Sequence, residues 1–330
     1  MIDPHESDVW NGGDALIGRA AELPTGEAST FSATSPILVR SEGRQVPLYV
    51  RVTAPTTGRD LGIILVSHGG GTGNYLSSLR GLGPLVDYWA AHGFVVIQPT
   101  HLGAKSLGLP RLAPESKEFW YSRVKDLTDI VDDLDAIESA VPGLQGRVDR
   151  SRLAVAGHSF GGQTASMLLG AHFVDEDGTL VRVPDDRVKA GVLLSSTGAG
   201  GDHMTEVGAR YTCLRTAGFD HMITPALVVV GDQDDSAALS SKGPSYHADP
   251  YTMSPGPKSM LTLTGAEHQL GGVTGYDAEE TTDENPERVA ILQRLSWAYL
   301  RSALYPEDTA WPEARDAFRP LGELGRIENK

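Results

Sequence analysis

Six short, almost entirely apolar runs recur along this chain, and helix-like segments lie between most of them. The runs are GIILVSHG (62–69), FVVIQPTH (94–101), LAVAGHS (153–159), AGVLLSST (190–197), PALVVVGD (225–232) and SMLTLTGAEH (259–268). They do not alternate polar and apolar residues, which is typical of strands buried on both faces of a parallel sheet. The sequence therefore predicts an α/β fold with a mostly parallel central sheet and helices on both faces.

Helical periodicity and one hairpin pattern complete this prediction. The helical stretches are LGPLVDYWAAHG, EFWYSRVKDLTDIVDDLDAIESAV, FGGQTASMLLGAHF and NPERVAILQRLSWAYLRSAL. Ahead of the first apolar run, PILVRSE and VPLYVRVTAP flank the turn-like Glu42-Gly43-Arg44. Two strand-like runs around such a turn predict an antiparallel hairpin at the edge of the sheet.

The pattern predicts one α/β domain over residues 36–304, with a segment of different character at each end. Residues 1–35 are rich in Gly, Ser, Thr and acidic residues and predict an irregular arm, and residues 305–330 form a C-terminal tail. Residues 198–223 lie between two predicted strands without strong periodicity. We interpret them as a small cap or lid over a site, with a plain surface connection as the alternative.

The composition argues against several classes of partner. The formal net charge of −15 argues against nucleic acid or an anionic membrane, since both need clustered Lys and Arg. Cys213 is the only cysteine, so no intramolecular disulfide can form, and no Cys/His cluster indicates a zinc site. The N-terminal MIDPHESDVWNGGD lacks the basic and apolar regions of a secretory signal, and no window approaches a membrane span. These features predict a cytoplasmic location.

The pentapeptide Gly157-His158-Ser159-Phe160-Gly161 stands between a predicted strand and a predicted helix. That context fits the G-x-S-x-G turn, in which a serine is exposed at the top of a sharp strand-to-helix connection. The glycines are needed because side chains there would collide with the neighbouring chain. Ser159 is therefore a candidate nucleophile, and an ordinary tight turn is the alternative.

A serine nucleophile needs a histidine base and a carboxylate that orients the base. Behind a G-x-S-x-G turn the chain order is serine, acid, histidine. The run PALVVVGDQDDSA offers three carboxylates, of which Asp234 is preferred, with Asp235 second and Asp232 third. The base is His268, just past the last predicted strand in SMLTLTGAEHQLGG.

Ester chemistry also needs amide donors for the oxyanion of the tetrahedral intermediate. One donor is the backbone N–H of the residue after the nucleophile, here Phe160. The second is expected from a loop after an earlier strand, and VSHGGGTGNY (66–75) leaves such a strand and opens into glycines. We therefore predict the amide of Gly70 as the second donor.

These residues resemble the α/β-hydrolase superfamily, most closely the branch of platelet-activating-factor acetylhydrolases, chlorophyllase-like and dienelactone-hydrolase-like esterases and cutinase-like polyester hydrolases. The resemblance rests on VSHGGGTGNYLSSLRGLGPLVDYWAAHGFVVIQPTH, RLAVAGHSFGGQTA, SRVKDLTDIVDDLDAI, LVVVGDQDD and GAEH, and spans roughly residues 36–304. Two departures stand out. Dienelactone hydrolases use a cysteine nucleophile, and the lipases that share the HGGG run usually have an acidic residue at the position of His158.

The resemblance implies an α/β-hydrolase catalytic domain with Ser159 as nucleophile, Asp234 as acid and His268 as base. It also implies oxyanion amides at Gly70 and Phe160, with no metal or organic cofactor. We expect a serine carboxylester hydrolase that acts through an acyl-enzyme on a small or medium ester, including a methyl ester of a secondary metabolite. The alternatives are an acyltransferase or thioesterase with the same triad, and an inactive α/β-hydrolase that serves as a binding module.

Overall fold

The computed structural model of the protein describes residues 15–70, 79–275 and 278–330. Within these ranges the chain forms eleven strands, which are β1 (Phe31–Val39), β2 (Leu48–Pro55), β3 (Leu61–Ser67), β4 (Phe94–Pro99), β5 (Val148–His158), β6 (His172–Val174), β7 (Leu180–Arg182), β8 (Val188–Leu194), β9 (Ala226–Gly231), β10 (Lys258–Leu263) and β11 (Gly325–Asn329). The first 14 residues of the predicted N-terminal arm lie outside the described residues.

Nine of the described strands form one sheet in the order β1-β2-β4-β3-β5-β8-β9-β10-β11. The six central strands, from β4 to β10, run parallel to their neighbours. Antiparallel pairs flank them, with the β1–β2 hairpin at one edge and β11 at the other. The prediction of an α/β fold with a mostly parallel central sheet is confirmed.

Helices cover both faces of this sheet. The described helices are α1 (Gly83–Ala91), α2 (Lys117–Asp132), α3 (Leu134–Ala140), α4 (Phe160–Leu168), α5 (Glu206–Ala209), α6 (Thr212–Arg215), α7 (Ser245–Thr252), α8 (Pro286–Leu304) and α9 (Ala310–Phe318). Alternate residues of one strand enter opposite layers. In β3, Ile63 packs in the cluster that holds α2, α3 and α4, and Ile64 packs in the cluster that holds α1, α8 and α9. Burial on both faces explains why the strands read as continuous apolar runs.

Two details differ from the sequence pattern. The stretch predicted as one long helix before β5 is divided into α2 and α3 at Asp133, whose carboxylate accepts hydrogen bonds from Arg40 in the loop after β1. Residues 305–330, set apart above as a tail, contain α9 and β11, and β11 pairs with β10 over Ser259–Leu263. The sheet therefore includes Gly325–Asn329 from the region that the sequence pattern set apart as a tail.

The segment 198–223 carries α5 and α6 and packs into the core through several buried side chains. Cys213 is one of them, and burial raises the pKa of its thiol to about 12. Its role as a lid stays a prediction. Among the described helices, none is both long enough and apolar enough to cross a membrane.

Candidate functional site

Ser159 lies in the turn that joins β5 to α4, where the chain reverses from strand to helix. Its backbone has φ 55° and ψ −121°, in the positive-φ region that side-chain-bearing residues rarely adopt. The turn is fixed on both sides, because the Ser159 N–H donates to the Leu194 carbonyl of β8 and the Ser159 carbonyl accepts from Gln163 N–H in α4. Strain of this kind persists only where the surroundings enforce it.

The glycines around Ser159 let three chain segments come very close together. A Cβ atom on Gly157 would overlap the Gly161 carbonyl, and one on Gly161 would overlap the Ser67 carbonyl at the end of β3. A Cβ on Gly162 would lie 2.6 Å from the Ser196 Cβ after β8. The sequence GxSxGG therefore follows from steric contact with both neighbouring strands.

Asp234 and His268 meet at the carboxyl ends of β9 and β10. The His268 Nδ1 lies 3.0 Å from both carboxylate oxygens of Asp234, which is completely buried. Because a carboxylate only accepts, Nδ1 donates, and the Nε2 atom of the neutral ring is left with its lone pair. The His268 side chain is 33% exposed, so this ring lies at the boundary between the core and solvent.

The other two candidate carboxylates, Asp232 and Asp235, have different surroundings. Asp232 accepts a hydrogen bond from the Gly265 N–H at 2.7 Å and so fixes the turn after β10, and Asp235 is exposed. Of the three alternatives left open by the sequence, Asp234 is the one in contact with His268.

His158 connects the loop of His268 to the turn of Ser159. Its Nε2 donates to the His268 carbonyl oxygen at 2.7 Å, and the two rings lie 4.9 Å apart between centroids. Among the described contacts, no hydrogen bond joins the Ser159 hydroxyl to the His268 ring. The structure brings Asp234 and His268 into direct contact, and brings Ser159 to them through its neighbour His158.

The predicted oxyanion donors lie side by side. Phe160 is the first residue of α4, where the backbone N–H has no partner inside the helix. Gly70 is exposed, and a Cβ atom there would lie 2.7 Å from the Phe160 ring. Within the described part of the chain, neither amide donates to an acceptor. Both N–H groups are therefore available to a ligand.

An aromatic cluster lies beside these amides. The Phe160 ring contacts those of Phe119 from α2 and Tyr211 from the 198–223 segment, with centroids 5.2 and 4.9 Å away. Phe119 and Tyr211 also contact each other at 5.0 Å. Apolar rings at this position would favour an apolar group on a ligand held by the amides.

Below the Gly70 loop, a buried arginine holds the end of β3. Arg123 of α2 donates to the carbonyl of His68, to the Ser67 hydroxyl at 3.3 Å and to the Thr164 hydroxyl at 2.9 Å. These bonds join α2, α4 and the segment that leads to Gly70. The backbone of this loop is therefore held by a charged side chain.

The buried network continues from Ser67 toward the edge of the sheet formed by β1 and β2. The Ser67 hydroxyl lies 2.9 Å from Nε2 of His101, whose Nδ1 lies 2.9 Å from Asp126. Arg44, from the predicted hairpin turn, completes it with a 2.8 Å bond to Asp126. The buried Arg44 and Asp126 form an ion pair, and the buried Arg123 donates to neutral oxygen acceptors. Sequence reasoning missed the network because its members are far apart along the chain.

The sequence also did not reveal the role of His247. It lies in α7, is completely buried, and places Nε2 3.2 Å from Oδ1 of Asp234. Burial on its own would raise the pKa of Asp234, but hydrogen bonds from His247 and His268 outweigh it and hold that pKa well below its usual range. The stretch SYHADP shows no pattern that predicts this contact.

Asp234, His247 and His268 are also the described side chains that could together ligate a metal ion. Two imidazoles and one carboxylate are a recognised ligand set for divalent transition metals. Here Nδ1 of His268 is hydrogen-bonded to the Asp234 oxygens at 3.0 Å, and Nε2 of His247 lies 3.2 Å from one of them. A metal would have to displace those bonds, so the donor set fits a hydrogen-bonded relay better than a metal centre.

Neither models of known protein families nor curated proteins match this sequence. A cavity of about 460 Å³ is lined by residues of α1, α8 and the loop between β10 and α8, and it includes none of Ser159, Asp234 and His268. We place the candidate site by its side-chain chemistry, because the cavity offers no comparable group of titratable residues.

Replacing Gly161 by alanine tests the steric basis of the turn. The new Cβ would overlap the Ser67 carbonyl, a backbone atom that cannot move without displacing β3. Gly161→Ala should lower the free energy of unfolding by about 3 kcal/mol or more in denaturant titration. Gly103→Ala is the matched control, because a Cβ there meets no atom within 4 Å; equal stability of the two variants would contradict this account.

Buried histidines should make the protein sensitive to acid. Burial, reinforced by the nearby His268, lowers the pKa of His158 to about 3, and burial also holds the pKa of His68 and His101 well below the usual value. Below about pH 6.5 the unfolded chain takes up protons at these rings and the folded chain does not. The contribution of these rings to the free energy of unfolding is therefore fully present above pH 6.5. It falls below pH 6.5 by up to about 1.4 kcal/mol per pH unit for each ring.

Denaturant titrations between pH 7.5 and pH 5 measure this slope. His158→Gln keeps a donor for the His268 carbonyl. It should reduce the slope of the unfolding free energy against pH by up to about 1.4 kcal/mol per pH unit, the contribution of one ring. His203→Gln changes an exposed residue and should leave the slope as it is. A slope that is the same in all three proteins would refute the assignment for His158.

Proposed function

We propose that the protein is a serine carboxylester hydrolase of the α/β-hydrolase type. The observation that carries the proposal is the fully buried carboxylate of Asp234, which lies 3.0 Å from Nδ1 of the partly exposed His268. A buried aspartate that orients one imidazole nitrogen, and leaves the other free at the surface, is the arrangement of an acid–base pair in acyl transfer.

Three further features support the α/β-hydrolase type. Ser159, Asp234 and His268 follow β5, β9 and β10, so they occur in the chain order serine, acid, histidine. Ser159 occupies a strained turn between a strand and a helix. Gly70 belongs to the loop between β3 and α1, which is the loop that supplies the second oxyanion donor in this class.

In the proposed acylation step, Nε2 of His268 removes the Ser159 proton as the hydroxyl oxygen attacks the ester carbonyl. Asp234 stabilises the resulting imidazolium through Nδ1. The amides of Gly70 and Phe160 donate to the oxyanion, aided by the positive end of α4. His268 then protonates the departing alcohol, and the acyl group stays on Ser159. A Ser159–His268 hydrogen bond that is long without substrate can shorten when substrate binds.

Deacylation uses the same groups in reverse. His268 removes a proton from water, the hydroxide attacks the acyl-enzyme carbonyl, and the oxyanion is again held by Gly70 and Phe160. Return of the proton to the Ser159 oxygen releases the carboxylic acid. These steps use only groups of this chain and water.

The proposed substrate is a small or medium ester, with a methyl ester of a secondary metabolite as one candidate. The rings of Phe119, Phe160 and Tyr211 lie beside the oxyanion amides and favour an apolar acyl or alcohol group there. The formal charge of −15 supports a small-molecule partner over a nucleic acid.

Replacing Ser159 tests the proposal directly. Ser159→Ala removes the attacking oxygen, so kcat on a short p-nitrophenyl ester should fall by about 10³-fold or more. Ser139→Ala is the control, because that serine is exposed on α3 and bonds only within its own helix. A folded Ser159→Ala protein with wild-type activity would refute the nucleophile, and a folded wild type that hydrolyses no ester in a broad panel would refute the function.

Further measurements separate the proposal from its alternatives. A transfer product formed with an added alcohol or amine would indicate an acyltransferase, and faster turnover of thioesters than of esters would indicate a thioesterase. Dialysis against a chelator should leave the rate unchanged, since no step uses a metal. A protein that binds esters and never cleaves them would be a binding module.

A further inference from the structure

His247 lies against Asp234 together with His268, and no step described above uses it. The two rings are 5.4 Å apart between centroids, and both contact the same carboxylate. His247 belongs to α7, which packs against β9 and β10. A fully buried imidazole on a fully buried carboxylate is costly to place unless its hydrogen bonds are satisfied.

The Nδ1 atom of His247 has a fixed partner. It lies 2.8 Å from the carbonyl oxygen of Ser196, just after β8. A carbonyl oxygen only accepts, so Nδ1 carries a proton and donates it. This bond ties the ring to the strand end that also anchors Ser159, whose N–H donates to the Leu194 carbonyl.

The Nε2 atom faces two oxygens of the site. It lies 3.2 Å from Oδ1 of Asp234 and 2.8 Å from the Ser236 hydroxyl, which itself lies 3.4 Å from the same Oδ1. An unprotonated Nε2 could accept only from the Ser236 hydroxyl, and its lone pair would then lie 3.2 Å from a carboxylate oxygen that repels it. With protons on both nitrogens the ring is an imidazolium, which donates through Nε2 to the Ser236 hydroxyl and places its positive charge 3.2 Å from the Asp234 carboxylate.

The charged and titratable groups around His247 agree with this arrangement. Asp234 faces the ring, and Asp249 lies on the same helix, where it pairs with Lys242 at a distance of 2.7 Å or less. The two neighbouring imidazoles do not donate to His247. His268 donates to Asp234, and His158 donates to the His268 carbonyl.

We propose that His247 is a positioning residue that holds Oδ1 of Asp234 through a protonated Nε2, so that the carboxylate stays aligned with Nδ1 of His268. This inference rests on the proposed function. His247 itself reaches no reacting atom, because Asp234 lies between it and His268. Its loss should therefore lower kcat and leave KM nearly unchanged.

Three substitutions of His247 distinguish the roles of its two ring nitrogens. His247→Gln places an amide donor near the position of Nε2, His247→Asn places one near the position of Nδ1, and His247→Ala keeps neither. If the bond to Asp234 is what matters, His247→Gln should retain kcat within about threefold, and the other two should lose about 10- to 100-fold. Wild-type kcat in folded His247→Ala, or better rescue by Asn than by Gln, would overturn the proposal.

Nitrogen-edited NMR of the histidine-labelled wild type provides a second readout that needs neither activity nor a stable variant. In the proposed arrangement both ring nitrogens of His247 carry protons, and Ser236→Ala is a perturbation that shifts the Nε2 signal. A ring with an unprotonated Nε2 would overturn the proposal. If the wild type hydrolyses no ester, the proposed function fails, and the NMR result still decides whether His247 donates to Asp234.

Discussion

The steric contact between the first turn of α4 and the ends of β3 and β8 is the constraint on which the rest of the site depends. Gly161 meets the Ser67 carbonyl and Gly162 meets Ser196, so no side chain fits at either position. This contact fixes Ser159 at the top of the sheet and brings Phe160 against Gly70. Because the Ser67 carbonyl belongs to the backbone of buried β3 and Ser196 is completely buried, the turn has little room to relax.

Two buried polar systems surround this turn and act on different parts of the candidate site. The bonds of Arg123 to His68, Ser67 and Thr164 hold the loop that offers the Gly70 amide. On the other side, His247 and His268 share Asp234. Removing a partner from either system leaves a buried polar or charged group without its hydrogen bonds, which destabilises the folded state.

Local pattern was enough to predict the layered fold and the elements that carry Ser159, Asp234 and His268. Strands buried on both faces leave continuous apolar runs, and the choice of Asp234 rested on its spacing after β9. The pattern could not reveal His247 or Arg44, because each acts through a partner brought near by the tertiary fold. The break between α2 and α3 at Asp133 escaped for the same reason, since it coincides with a bond to Arg40 about ninety positions earlier in the chain.

The positive φ of Ser159 costs the folded state free energy. At φ 55° and ψ −121° a glycine would be accommodated more easily than any residue with a Cβ, by an amount on the order of 1 kcal/mol. Replacing Ser159 by glycine would therefore relieve backbone strain and remove the hydroxyl at the same time. The proposed role of that hydroxyl as nucleophile would account for a strained serine at this position.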